Sequence, residues 1–479
     1  MRDMLLVLDL DHLAARTTAR KLRSARISCK IVPSSTEAQQ IANAEPLGLI
    51  LAGGRTDCAA FDEAFLSLPM PILALSGAAG RLCVCMGGQA GASQTMDALS
   101  DIQYTECPLF IGLENGARML GNISSLTLPE NAQAIAKTAD GAIYAFSDDK
   151  GTRLGIQTDI EPNDPDGMQI LMNFALNVCG CTEWWDEEAF VKGAVEEIQS
   201  AVQDGAAMCA MTGGLNSGVS ALLAHKALGD RLHCVFVDTG LLREGEADAF
   251  MAFYQGERGL NITRINAKEQ FLSALQGVTD PNEKRTIIGG LFHQILSAEQ
   301  DKTDGLTALI RGTSYSDVMQ NKQQQSKPSA LIRIEPVRDL FKDEIRQIGE
   351  YLGMPSDIIS SQPFPGSGLA LRILGEVTEK NLAVLRKADK IFSEEIAASP
   401  QNKRLWQHFA VLSPGAMTGS NIICLRAVHA TDGALAHASR LPYDLLETVT
   451  NRILQECPDV QRVVYDLTPS THYQGIEWQ

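Results

Sequence analysis

The chain has 479 residues, with 58 acidic against 41 basic side chains and a formal net charge of −17 at neutral pH. At roughly 150 residues per domain, this length predicts about three domains rather than one core. The acidic balance excludes a general nucleic-acid binder, whose footprint is a basic face. Eleven scattered cysteines, with Cys83/Cys85 and Cys179/Cys181 each separated by one residue, have neither zinc spacing nor the pattern of a secreted disulfide framework. A reducing cytoplasm is therefore expected. No apolar run is long enough to span a membrane, so no membrane partner is expected.

The first apolar run, residues 4–10, is broken by Asp9 and followed by Asp11, so it reads as a strand and not a signal peptide. A basic helix over 14–25 follows, then strands over 28–32 and 47–51, the last ending at Gly53-Gly54. Alternating strands and amphipathic helices through the first two thirds predict α/β architecture: two doubly wound parallel-sheet domains followed by a small α+β domain. The first module ends near Cys179-Gly-Cys181. The polar stretch 184–188 leads into a helix over 189–202, whose apolar residues recur at helical spacing. A strand over 205–211 then runs into Cys209-Ala-Met-Thr-Gly-Gly-Leu-Asn-Ser-Gly218, and a helical pattern occupies 219–228. Strand, glycine turn and helix start together aim backbone N–H groups at a phosphate. No Lys follows the glycines, so this is not a Walker loop. Residues 234–238 form a buried strand ending in the turn Asp238-Thr-Gly-Leu-Leu-Arg243. The Gln-rich stretch 320–327 reads as a mobile loop. A helix over 376–398 opens the final α+β module.

The glycine turn resembles the Ser-Gly-Gly-x-Asp-Ser loop of the N-type ATP pyrophosphatases, with Asn216 at the Asp position and Gly218 replacing the second Ser. Further motifs follow in order: 277–289, Arg311-Gly-Thr-Ser-Tyr-Ser-Asp317, Glu335-Pro-Val-Arg-Asp-Leu-Phe-Lys342, 363–375, Arg440-Leu-Pro-Tyr-Asp-Leu-Leu446, Arg462-Val-Val-Tyr-Asp466 and Ile476-Glu-Trp-Gln479. Together they resemble GMP synthetase, whose family converts xanthosine monophosphate, ATP and glutamine to GMP, AMP, pyrophosphate and glutamate. The resemblance implies a class I glutamine amidotransferase-like domain over 1–182, an ATP pyrophosphatase domain over 183–370, and a dimerisation domain over 371–479 that makes a homodimer. It also implies a nucleotide site from Thr212, Gly213, Gly214, Asn216, Ser217, Gly218, Asp238, Gly312, Thr313 and Asp317. A degenerate substrate site is implied from Arg285, Pro365, Gly366 and Glu477. A purine nucleotide is the implied ligand.

The departures from that family are chemical. The amidotransferase nucleophile turn, Pro-Val-Leu-Gly-Ile-Cys-Tyr-Gly in the family, is Pro71-Ile-Leu-Ala-Leu-Ser-Gly-Ala78 here. Ser76 thus takes the nucleophile position and Ala74 that of the preceding Gly. The family's Phe-His-Pro-Glu is matched by Thr158-Asp-Ile-Glu161, which puts Asp159 at the general-base position and keeps Glu161. His12 is the only histidine before residue 200. A serine hydroxyl needs a base more than a thiol does, and a carboxylate does not replace imidazole near pH 7. Asn216, a neutral amide, is a poor ligand for Mg²⁺, so ATP with weakly held Mg²⁺ is the expected cofactor, and no metal site of the protein's own is expected. Arg311 stands for the family's Gln, the Lys-Ser-His-His-Asn lid is absent, and the segments 413–421 and 470–473 depart from the family's phosphate- and base-holding runs. These changes predict a homologue with glutaminase lost and synthetase impaired, a pseudoenzyme or regulatory paralogue. An ammonia-dependent or repurposed adenylating ligase, and a working GMP synthetase, stay open as alternatives.

Overall fold

Apolar runs bounded by turns form nine strands in the first part of the chain. They are β1 (Leu5–Asp9), β2 (Cys29–Pro33), β3 (Gly48–Ala52), β4 (Ile72–Leu75), β5 (Gln89–Tyr104), β6 (Ala117–Thr127), β7 (Ala132–Thr138), β8 (Ile143–Asp148) and β9 (Arg153–Ile156). The structure is a computed structural model that describes all residues except 1–3, 55–60, 62, 116, 162–163, 183–184, 321–330, 363, 365, 416–419, 431–435 and 469–479. The expected mobile loop therefore lies almost wholly outside the described residues. Contacts divide the chain into two units, Met1–Gly193 and Ala194–Gln479.

The strands of the first unit make one sheet in the order β2-β1-β3-β4-β9-β8-β7-β5-β6. Half of this sheet is the expected parallel wound sheet: β2, β1, β3, β4 and β9 all run parallel. The remaining pairs are antiparallel, which the sequence reading did not include. The physical reason is loop length. The turns joining β7 to β8 and β8 to β9 are too short for a crossover, so those strands can pair only as hairpins. The basic helix occupies His12–Ser24, where the Asp11 carboxylate accepts the Ala14 N–H at 2.9 Å as its N-cap.

In the second unit β10 (Ala206–Met211), β11 (Leu232–Asp238), β12 (Ile262–Asn266), β13 (Leu306–Ile310) and β14 (Ile332–Ile334) form a fully parallel sheet ordered β12-β11-β10-β13-β14. The chain winds outward from β10 to β12, then crosses to β13 on the other side. The strand order thus reverses at β10, and in open α/β sheets ligands bind in the crevice at the carboxyl ends beside such a reversal. After this come the helix Glu379–Ala397, β15 (Gln407–Pro414), β16 (Asn421–Ala430), β17 (Ala436–Ala438), the helix Tyr443–Glu456 and β18 (Val460–Tyr465). Here β16 pairs antiparallel with β15 and β17 and parallel with β18. One continuous hydrophobic core joins Met208, Val235 and Leu241 of the parallel sheet to Leu385, Phe392, Leu412 and Ile453 of the C-terminal elements.

A buried cation reinforces that core. Lys284 lies in the first turns of the helix Pro281–Gln300 and is 1% exposed. Its Nζ donates to the carbonyls of Ile373 at 2.7 Å, Gly375 at 2.6 Å and Ala370 at 3.3 Å. These three acceptors close the turn around Gly368–Arg372 against the helix. Replacing Lys284 by Met keeps the apolar stem but leaves buried carbonyls without a donor. We expect a loss of about 2–4 kcal/mol, read as a lower denaturant midpoint at unchanged slope. A change within about 0.5 kcal/mol would show that the lysine is incidental.

Candidate functional site

The first candidate site is the turn after β4. Ser76 has φ 53° and ψ −126°, a backbone region that non-glycine residues occupy only under constraint, and it is 1% exposed. This sharp strand-to-helix turn holds a nucleophile out of the sheet in hydrolases and amidotransferases. The same shape is present here with a serine at its apex. Its donors are turned inward: Ser76 Oγ donates to the Gly54 carbonyl at 3.2 Å, and the Gly77 N–H donates to the same carbonyl at 3.1 Å. Gly77 N–H is the group that would face a developing oxyanion, and it is already committed.

Register brings the predicted partners to the same edge. Leu75 of β4 pairs with Ile156 of β9, and Ser76 N–H donates to the Ile156 carbonyl at 2.9 Å. Gln157, Thr158, Asp159, Ile160 and Glu161 continue from that strand end, with Asp159 and Glu161 half-buried. The structure therefore brings Ser76 and the segment carrying Asp159 and Glu161 to the same edge of the sheet. The unit's histidine, His12, bonds through Nδ1 to Asp9 Oδ2 at 2.5 Å on the turn after β1, and β3 separates β1 from β4.

The second candidate site lies at the carboxyl ends of β10, β11 and β13. The helix after the glycine turn starts at Leu215, four residues earlier than the apolar pattern indicated, so Asn216, Ser217 and Gly218 sit in its first turn. Gly213 has φ 84°, a left-handed conformation that favours glycine, and it reverses the chain into Gly214, the extended N-cap residue. Gly214 offers no side-chain cap, so the first-turn N–H groups are available to an anion in the manner of a phosphate cradle. Ser217 Oγ closes the loop, donating to Gly214 O at 2.9 Å and accepting from Thr212 N–H at 3.3 Å.

Gly218 is fixed by a close approach. A Cβ at 218 would lie 1.9 Å from the hydroxyl of Tyr254, which is 1% exposed and packs on Phe250 and Phe253. Residue 218 thus faces the interior, and Ser217 supplies the loop's hydroxyl. Gly312, after β13, is fixed by an equally close approach. Its Cβ would fall 2.5 Å from Ser217 N and 2.7 Å from the Asn216 carbonyl carbon.

Around this cradle the polar groups interlock. Asp317 Oδ2 accepts from Ser314 N–H at 2.8 Å, Ser314 Oγ at 2.7 Å and Asn216 Nδ2 at 3.4 Å. Thr313 Oγ1 donates to Glu335 Oε1 at 2.7 Å. Asp238, at the end of β11, accepts from Gly240 N–H at 3.1 Å and pairs with Arg264 at 2.6 Å. Lys342 opens the helix Lys342–Tyr351, with its Nζ 5.6 Å from the centre of the Trp406 ring. Burial and, after it, the nearby Arg346 push its ammonium down to about 8 against the opposing pull of the Asp317 carboxylate. In the sequence it closes the motif Glu335-Pro-Val-Arg-Asp-Leu-Phe-Lys342 and carries no separate signal. Arg285 is exposed on the helix Pro281–Gln300, where Nη1 donates to Asn282 Oδ1 at 3.0 Å. Gly366 is exposed beside the turn that Lys284 anchors. Pro365 and Glu477 lie outside the described residues, so the expected substrate set is not seen together.

Among the described residues no three His, Cys, Asp or Glu side chains form a metal-holding group, and no helix is long and apolar enough to cross a membrane. The loop fits a phosphate through main-chain donors. The carboxylate beside it is engaged by three donors, which suits a cation poorly.

A family model described as the GMP synthase C-terminal domain matches residues 394–478. The glutamine-hydrolysing GMP synthase of Caldicellulosiruptor saccharolyticus is 36% identical over 512 aligned positions, covering 100% of this chain and 99% of that protein. That of Symbiobacterium thermophilum is 36% identical over 513 positions, with the same coverage. Among solved structures, a glutamine amidotransferase from Thermotoga maritima matches at 11% identity and a TM-score of 0.31, over 38% of this chain and 100% of its own. Related across its whole length to proteins of one description, the chain belongs to the family of glutamine-hydrolysing GMP synthases.

Proposed function

We propose that this chain is a GMP synthase homologue that has lost glutaminase activity and keeps an impaired nucleotide site, acting as a binding or regulatory relative of the enzyme. The observation that carries this is the turn at Ser76: the strained main chain persists, while both donors a glutaminase would aim at its substrate bond to Gly54 O. In this reading Asp159 and Glu161 are remnants of the base and its orienting group. The division into modules over 1–182, 183–370 and 371–479 belongs to the same proposal.

The nucleotide half follows from charge. Main-chain N–H groups of Gly213–Ser217 and the helix start would hold ATP phosphates, with Lys342 as the neighbouring cation. Magnesium, when bound, would neutralise charge on the leaving pyrophosphate. Asn216 contributes no carboxylate to it, and Asp317 is already shared among three donors. Weak binding and poor turnover follow, because leaving-group charge grows in the transition state. The retained Lys342 favours a second reading, a repurposed or ammonia-dependent adenylating ligase. AMP release in the presence of ammonium and a panel of carbonyl and phosphate acceptors would separate the two.

Three outcomes test this reading. The purified protein should release glutamate at more than about 10³-fold below an intact Cys–His enzyme, with partial recovery in Ser76→Cys combined with Asp159→His. Robust glutaminase activity that Ser76→Ala abolishes would refute the first half. ATP affinity should hold up to about pH 8 and then fall, because the lysine carries its charge below its lowered pKa and loses it above. Lys342→Met should weaken ATP about tenfold and flatten that profile, whereas wild-type affinity in the variant would remove Lys342 from the site. Finally, Val464 and Leu467 lie exposed along the edge strand β18 and beyond it, which supports a two-fold homodimer through the C-terminal module. A monomer by light scattering at micromolar concentration would exclude it.

A further inference from the structure

The stretch 239–243 connects Asp238 to the rest of the second unit, and its main chain is held almost entirely from one direction. Gly240 O accepts from Arg386 Nη2, and Leu242 O accepts from Arg386 Nε at 2.8 Å. Between them, Leu241 O accepts the Leu369 N–H at 2.8 Å. Three consecutive carbonyls are thus bound by groups that come after residue 368 in sequence. On the other side of the same peptide run, Gly240 N–H donates to the Asp238 carboxylate at 3.1 Å. A continuous path therefore runs from the Asp238 carboxylate through Gly240 to the Arg386 guanidinium. Asp238, Glu244 and Glu379 all act electrostatically on that guanidinium.

Arg suits this place for a geometric reason. Its planar fork sends two N–H vectors to carbonyls two residues apart, which a lysine ammonium reaches only one at a time. The next turns of the same helix add support: Asp389, 2% exposed, accepts from Arg243 Nε at 3.0 Å and from Ala410 N–H at 2.9 Å. Lys390 pairs with Glu244 at 3.1 Å, but both side chains are about half exposed, and such a pair contributes little.

We propose that Arg386 is a positioning residue for the nucleotide site, fixing residues 240–242 and, through the Gly240 amide, the carboxylate of Asp238. The proposal rests on the nucleotide reading above. The C-terminal helix is then part of how the site is shaped, so a perturbation of the C-terminal module reaches the nucleotide loop without touching the ligand.

The test uses the full chain with Arg386→Gln, Arg386→Lys and Lys390→Met, measuring ATP affinity by calorimetry and amide hydrogen exchange by mass spectrometry. Arg386→Gln should weaken ATP about tenfold and speed exchange over 240–243, with protection of β10, β11 and β13 unchanged. Arg386→Lys should recover only part of the loss. Lys390→Met, which removes a charge from the same helix and leaves the carbonyls bound, should behave as wild type. Unchanged exchange over 240–243 in Arg386→Gln overturns the proposal, and so does an equal affinity loss in Lys390→Met. Failure of the unmodified chain to bind ATP sinks the nucleotide reading and this residue's functional role together. Faster loop exchange in Arg386→Gln would even then sustain the main-chain clamp.

Discussion

A parallel strand buried on both faces can present polar groups only at its ends, and both units of this chain are organised by that limit. Ala207, Met208, Cys209 and Met211 of β10 are at most 2% exposed. Every group able to meet a phosphate is therefore displaced to the carboxyl edge, where Thr212–Gly214, Asp238 and Gly312 emerge from neighbouring strands. The approach of Gly312 to the Asn216–Ser217 peptide then fixes the height of the helix start against β13. No side chain larger than hydrogen fits there. The cradle depends on backbone packing and not on the side chain at 216.

The turn at Ser76 shows the same separation of scaffold from chemistry. A non-glycine residue at positive φ costs on the order of 1–3 kcal/mol, so it survives only where its surroundings impose it. Here the bonds from Ser76 N–H to Ile156 O and from Gly77 N–H to Gly54 O impose it from both adjoining strands. These bonds need no thiol. The geometry of this turn thus rests on main-chain bonds, and the Ser76 hydroxyl satisfies itself on the nearest carbonyl.

In the second unit, charge is buried where sheet and C-terminal elements meet. Arg372 is fully buried, with Asp389 at 3.8 Å and the rings of Phe409 and Phe364 at 4.4 Å and 5.2 Å from its guanidinium carbon. Among the described residues its N–H groups find no hydrogen-bond acceptor, and the ring faces take the cation instead. His408, beside the same cluster, is held down to about 4 by burial and by the two arginines, against the pull of Asp389, so it is neutral at physiological pH. Arg243 and Arg386 extend this network to the loop beyond Asp238. Nucleotide edge and C-terminal module are therefore parts of one packed body.

Much of this was legible in the sequence because period and punctuation are local. Alternating apolar runs located β1, β3, β10 and β11, and the paired glycines located the turn after β10. The changes at 76, 159 and 216 were visible as residue identities. Tertiary contact decided the rest. The helix pattern could not show that the first turn begins at Leu215, since Asn216, Ser217 and Gly218 carry no apolar signal. Nor could it show that residue 218 faces inward, because that is set by Tyr254, 36 residues away along the chain and reached only by packing. The β7–β8 and β8–β9 hairpins followed from short turns, while the pairing of β5 with β7, with β6 between them in sequence, was set by tertiary contact. Lys342 and Arg386 looked like ordinary basic residues on helices. Their environments are built by Asp317 and by the Gly240 and Leu242 carbonyls, and only the folded chain brings these together.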